Sequence, residues 1–329
     1  MGSCVCCQTV SNLELQRSET VKSPESTVQI PQMHPKVHVL ADRVLHNQTL
    51  TVTNIDLSGR DLGEEGGKYL GAIIPYYHHI TSLILSKCYL EAGAFESIAS
   101  ALTDLVMLKE LDFSFNNIGS EGADILSPAL ERMGNLEILG LEEVGLGSNG
   151  MLMICSGIVG LRHLKELYIG KNNIGDVGIR GLANIFPYIC SLATLEINKN
   201  GIGPKGMAFL ASSLGCLKNL TKFNVGENNL LPIGVSMMIP HLPRSLESLV
   251  IDKVGADNSN IMKLTDILSE FSKLKHLSLD HNEITSEGVE EIIKILPKLK
   301  LSYLGLIGCD ISSHRKALSL AGSSTEVLL

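Results

Sequence analysis

Apolar residues recur every 28 positions along most of this 329-residue chain, and that regularity leaves few folds open to it. The residues that open each copy are Val52, Ile80, Leu108, Leu136, Leu164, Leu192 and Leu220, in equal steps. Leu246, Leu274 and Leu301 follow after steps of 26, 28 and 27. Three and five residues after each opener stands another apolar residue, as in Leu111 and Phe113 or Leu195 and Ile197. That alternation predicts a short half-buried strand.

Eight residues after the opener the chain favours asparagine, at Asn116, Asn172, Asn200, Asn228 and Asn282, with Cys88 and Cys309 at the same phase. A column of asparagines can both donate and accept, so it can satisfy coil backbone that stacking would bury. Gly122, Gly150, Gly178, Gly206, Gly234 and Gly288 come next and predict a tight turn. Beyond them the period changes to four, with Leu70, Ile98, Leu126, Ile154, Leu182 and Leu210 followed by Ile74, Leu102, Leu130, Ile158, Phe186 and Leu214. Spacing of four is a helix face. Each unit is therefore a strand, a turn and a helix that must stack on copies of itself to bury its apolar side.

The phrase LxxLxLxx(N/C)x(L/I)Gxx(G) resembles the leucine-rich repeat, and the 28-residue strand-plus-helix unit is similar to its ribonuclease-inhibitor-like subclass. The resemblance covers roughly residues 50 to 320. It implies an α/β horseshoe solenoid of about ten repeats, with parallel strands on the concave face and helices on the convex face. It says little about function, because this repeat serves many unrelated binding tasks. The expected division is a flexible leader over 1–34, an N-terminal cap over 35–51, the repeat domain over 52–320 and a tail over 321–329. Departures are local: Val254 replaces asparagine in the copy from Leu246, which lacks a clear glycine, and Ala94 replaces glycine in the second copy.

Residues 144–161 hold no charge over 18 positions, which is long enough to suggest a membrane span, but their glycines and their agreement with the repeat columns argue for a repeat unit. The net charge is −8 and no Lys/Arg cluster is present, so nucleic acid is not an expected partner. Cys88, Cys155, Cys190, Cys216 and Cys309 lie one per repeat at differing phases, as small buried residues in a reducing compartment do and as a disulfide framework does not.

The leader opens Met1-Gly2-Ser3-Cys4-Val5-Cys6-Cys7. Loss of Met1 would expose Gly2 to myristoylation beside three cysteines that could take palmitate. This start resembles the doubly acylated amino termini of Src-type kinases and some G-protein α subunits, although Cys6 stands where that pattern prefers Ser or Thr. One myristoyl chain alone binds membranes marginally, so the expected second signal is acylation of Cys4, Cys6 or Cys7. An unmodified tail and a metal-binding fragment are the alternatives. Acylation implies a cytoplasmic protein held peripherally on the cytosolic face of a membrane.

Residues between the apolar positions of each strand should face the concave side. Those columns hold Asp56, Glu110, Asp112, Glu142, Glu166, Glu196, Asp252 and Asp280 against Lys222 alone, together with Tyr168, Asn224 and His276. A wall of one sign favours a basic segment of a protein partner; the alternative is a solvated face on an acidic protein. The adjoining rim carries Lys87, Lys171, Lys199 and Lys253 against Glu143 and Glu227. Tyr168, an aromatic expected to be exposed in mid-face, is the candidate anchor. Histidines are scattered, and no phosphate loop, nucleophile elbow or His-Glu-x-x-His helix occurs, so neither catalysis nor a cofactor or metal is expected. Two readings remain: a membrane-tethered adaptor, and a small-GTPase regulator suggested by similarity in repeat class and size to the Ran GTPase-activating protein family.

Overall fold

A computed structural model describes residues 35–46, 52–311, 314, 317, 318 and 326–328; the acylation candidates Gly2, Cys4, Cys6 and Cys7 lie outside them. The described chain is an α/β solenoid with one parallel sheet of eleven strands in strict sequence order. Each of the first ten strands is three residues long and begins two residues after an opener: β1 (Asn54–Asp56), β2 (Ser82–Ile84), β3 (Glu110–Asp112), β4 (Ile138–Gly140), β5 (Glu166–Tyr168), β6 (Thr194–Glu196), β7 (Lys222–Asn224), β8 (Ser248–Val250), β9 (His276–Ser278) and β10 (Tyr303–Gly305). The register follows the period, so Leu139 pairs with Leu167 and Leu167 with Leu195.

A helix follows each of the first nine strands: α2 (Gly63–Ile73), α3 (Ala92–Ala101), α4 (Gly119–Arg132), α5 (Gly147–Ile158), α6 (Gly175–Ile185), α7 (Pro204–Leu214), α8 (Leu231–Met238), α9 (Asn258–Leu268) and α10 (Ser286–Ile295). Strands space at about 4.8 Å and helices at about 8–10 Å, so such a stack must arc with the sheet inside. The uncharged stretch 144–161 becomes a turn plus the 12-residue α5, and no helix among the described residues is long and apolar enough to cross a membrane. Both apolar helix columns, from Leu70 to Leu210 and from Ile74 to Leu214, are fully buried. At about 1.5–3 kcal/mol for each large aliphatic side chain removed from water, these columns and the strand leucines dominate stability.

The asparagine column is a ladder that ties consecutive copies together. The Asn200 amide donates to the Ile169 and Ile197 carbonyls while its Oδ1 accepts from the backbone N–H of Asn172. Asn116, Asn172, Asn228 and Asn282 repeat the pattern. Because each asparagine serves its own copy and the preceding one, a gap is tolerated. Val254 offers no side-chain bond, yet its N–H is capped by Asn282.

The glycine column corrects the expectation of a turn. Gly122, Gly150, Gly178, Gly206, Gly234 and Gly288 lie buried inside the helices, where they permit close packing of neighbouring helices. A Cβ on Gly206 would stand 2.5 Å from Asp176 Oδ1 and 3.1 Å from its Cα, which leaves no room for a side chain. In the irregular copy Asn260 holds this place. Buried, it completes a capping box with Asp257 and donates to the Pro232 carbonyl at 2.9 Å and to Ser236 Oγ at 2.8 Å. Polar bonds there replace the close apolar approach made elsewhere.

Ahead of the repeats, α1 (Pro35–Leu45) lays Val37, Leu40 and Ala41 on the first unit, with Tyr77 Oη donating to the Leu40 carbonyl. Within the stretch read as a tail, β11 (Glu326–Leu328) pairs with β10. Three residues without a downstream repeat offer no period from which to read it.

Candidate functional site

Strand alternation carries the candidate residues to the concave face, where most gather in two hollows. The first collects Glu110, Asp112, Glu142, Glu166 and Tyr168 around Ser114, Phe115, Ile138 and Gly140. Gly140 sets its floor: a Cβ there would lie 2.2 Å from Asp112 Oδ1, so the glycine lets that carboxylate lie across the next strand. Glu110 accepts from Ser82 Oγ, Asp112 accepts from the Ser114 N–H, and Glu142 pairs with Lys171 at 2.9 Å. Among the described residues, no Lys or Arg lies within ion-pair distance of Glu110, Asp112 or Glu166. Three carboxylates in this hollow are thus held by hydrogen bonds and not by ion pairs.

Tyr168 is half-buried and its hydroxyl donates to Glu166, so it is a wall of the hollow and not the free-standing aromatic expected. Burial raises its pKa, and the bond to Glu166 and the charges of Glu166, Glu196 and Asp112 add to the rise. Phe115 supplies a second aromatic on the rim, with Lys87 Nζ 4.7 Å and Lys171 Nζ 5.2 Å from its ring centre. Its phase, seven residues after an opener, is visible in the sequence, but attention to strand columns passes over it.

The second hollow collects Asn224, Asp252 and Asp280 with Asn198, Gly226, Glu227, Val250, Lys253 and His281. Asp252 Oδ1 accepts from the Asp280 N–H, and Asp280 Oδ1 accepts from the Ile307 N–H. Burial raises the Asp252 pKa, with Asp280 adding to the rise, while hydrogen bonds from Ser278 and the Asp280 backbone and the charge of His276 oppose it. His276 lies beside this hollow, stacked on Tyr303 with ring centres 4.1 Å apart and planes 6° from parallel. Burial lowers its pKa against the pull of Asp252 and Asp280. Glu196 sits between the hollows and accepts from Asn224 Nδ2 at 2.6 Å; burial raises its pKa, Glu142 adds to this, and Asn224 and Lys222 oppose it. Lys222 stands exposed beside it.

Not every position of the columns reaches solvent. Ser82, Thr194 and Ser278 are buried beneath their neighbours. No group of His, Cys, Asp and Glu that could hold a metal occurs among the described residues.

The rim column shows what sequence alone did not. Lys87, Phe115, Glu143, Lys171, Lys199, Glu227, Lys253 and His281 all have φ between 50° and 61°, in the left-handed region that favours glycine, and Gly59 and Gly308 occupy the same phase in the end copies. The N–H of each binds a carbonyl of the following copy, as Lys199 does Gly226. The sheet edge thus imposes this backbone, while the rim keeps side chains there.

Comparison with known proteins agrees with this geometry. The family model described as Leucine Rich repeat matches residues 105–127, 160–183, 188–211 and 272–292. A ribonuclease inhibitor of Sus scrofa is 38% identical over 99 residues, which are 29% of this chain and 22% of that protein. The chain thus spans about a fifth of the length of that relative. An internalin from Listeria monocytogenes is similar with a TM-score of 0.43 and 17% identity, covering 92% of this chain and 98% of that one. The chain carries leucine-rich repeats over the matched residues and folds as a leucine-rich repeat solenoid, and its partial likeness to the ribonuclease inhibitor supports the subclass that the 28-residue unit implied.

Proposed function

We propose that this chain is a non-enzymatic scaffold that receives a basic segment of a protein partner on its concave face. The observation that carries the reading is the first hollow, where Glu110, Asp112 and Glu166 converge beside Tyr168 and, among the described residues, none of the three makes an ion pair. Carboxylates set on a rigid sheet attract and orient a cationic segment at little cost in their own ordering, and Tyr168 offers a ring to its guanidinium or ammonium groups. A relative named as an inhibitor is also a binding protein, which supports the class but not the target.

The test is calorimetry with a short arginine-rich peptide and its glutamate-rich counterpart. Binding of the basic peptide alone, weakened on the order of 30-fold in Glu110→Gln/Glu142→Gln/Glu166→Gln, supports the reading. Equal affinity of that variant and the parent overturns it.

The tether is the second part of the proposal: myristate on Gly2 and palmitate on Cys4, Cys6 or Cys7 would hold the scaffold on the cytosolic face of a membrane. Fractionation of the intact chain against Gly2→Ala and against serine at all three cysteines checks it. Identical distributions would refute the anchor.

A further inference from the structure

The convex side carries a patch that neither the scaffold reading nor the tether uses. Helices α5 to α8 present Met153, Phe209 and Met237 at one phase of the repeat, flanked by Leu152, Val177 and Ile233, all solvent-exposed; Phe209 is 44% and Ile233 57% exposed. Together they expose on the order of 500 Å² of mostly apolar surface, at the upper end of what a monomer leaves uncovered. From α5 to α7 its members meet across α6. A Cβ on Gly181 would lie 2.5 Å from Leu152 Cδ2, and the Arg180 guanidinium lies 5.2 Å from the Phe209 ring centre.

Its charge is the reverse of the protein's. Helices α5 to α8 contain only three charged residues, Asp176, Arg180 and Lys205, and Asp176 is engaged by the Gly203 N–H at 2.7 Å. The flanking helices α2–α4 and α9–α10 carry ten carboxylates against four basic residues. A weakly basic, apolar field is therefore confined to the middle of an arc whose ends are acidic.

We infer that this crest rests on an anionic lipid surface. A flat bilayer touches a convex arc only near its crest, which is where the carboxylates stop. Apolar side chains entering the headgroup boundary, with Arg180 and Lys205 beside lipid phosphates, match the way peripheral surfaces bind membranes. Two copies of this chain docking crest to crest would set those cations against each other. The inference does not rest on acylation.

Sedimentation of the full-length Gly2→Ala chain, produced in bacteria without lipid modification, tests it with vesicles of phosphatidylcholine alone or with phosphatidylserine. The parent should bind the phosphatidylserine vesicles, at least tenfold more weakly at high salt and on neutral vesicles. Phe209→Asp/Met237→Asp and Arg180→Glu/Lys205→Glu should each lose binding at least tenfold while keeping the parental circular dichroism and thermal transition. Should a variant misfold, Phe209→Ser/Met237→Ser supplies the milder comparison, with at least a threefold loss expected. Absence of parental binding, or equal binding by a folded variant, overturns the inference. Self-association abolished by Phe209→Asp/Met237→Asp also overturns it, since a second copy would then cover the patch.

Discussion

The concave and convex faces of the middle repeats are built from the same 28 residues and have opposite chemistry. From β3 to β5 the inner face is a hollow of carboxylates; the outer face of the copies from β4 to β7, formed by α5 to α8, is nearly free of carboxylate and exposes Phe209 and Met237. The buried columns are alike on both sides. Stacking constrains what lies between strand and helix and leaves the exposed columns free to diverge, so the character of each face is read across copies at one phase.

The strongest way to break the comparison is to cut what the two faces share. Asn200→Ala removes donation to two carbonyls and acceptance from Asn172 in a fully buried site. Leaving those groups unpaired should cost about 3–5 kcal/mol by urea denaturation, and both faces should lose function together. A loss below about 1 kcal/mol would show that the ladder is dispensable.

Charge sharpens the comparison with a smaller effect. Removing Glu110, Glu142 and Glu166 as charges should weaken a basic peptide by about 2 kcal/mol while leaving vesicle sedimentation unchanged. Parallel loss of both activities would mean that the faces are not independent.

Acidity offers a gentler probe of the inner face. Glu196 and Asp252 have raised folded-state pKa values, so their protonated forms are favoured by folding. Their contribution to stability is present below the unfolded-state carboxylate values and is lost as pH rises through the raised ones. A cationic segment reverses this preference, drawing protons off both groups. Affinity for the basic peptide should therefore rise with pH across the interval from the ordinary carboxylate values to the raised ones, with proton release measurable in buffers of different ionisation heat. Glu196→Gln/Asp252→Asn should flatten the rise; an unchanged slope would reject these two residues as its source.

Much of this was legible because burial repeats. The openers predicted strand positions, and the residues from Leu70 to Leu214 marked the buried helix columns, since a position that must be apolar in every copy shows itself ten times over. The site was less legible. Strand alternation places Tyr168 on the concave face, but its bond to Glu166 depends on two side chains meeting within one strand. The role of Gly140 depends on Asp112 lying across it from the neighbouring strand. Asn260 was hidden because its phase normally holds glycine and its partners Pro232 and Ser236 lie a copy away. The crest is inconspicuous in the sequence because scattered exposed apolar residues are ordinary until their phases are aligned.

The smallest expected effect lies on the rim between the faces. Lys253 has φ of 50°, where a non-glycine residue is disfavoured by about 1 kcal/mol, and its N–H still donates to the Asp280 carbonyl. Among the described residues its ammonium makes no ion pair, so Lys253→Gly loses no salt bridge. Relief of the backbone is offset in part by the greater freedom of glycine in the unfolded chain. The net expectation is a gain of about 0.5 kcal/mol in urea denaturation. Lys253 lines the second hollow together with Asp252 and Asp280, where its ammonium competes with an incoming cation. The same substitution should therefore strengthen capture of the basic peptide about twofold, while vesicle binding by the crest stays constant. A destabilised variant would mean that the lysine stem packs on the rim closely enough to outweigh its strained backbone, which would make the rim a structural edge of the solenoid and not a place where side chains are kept for contact.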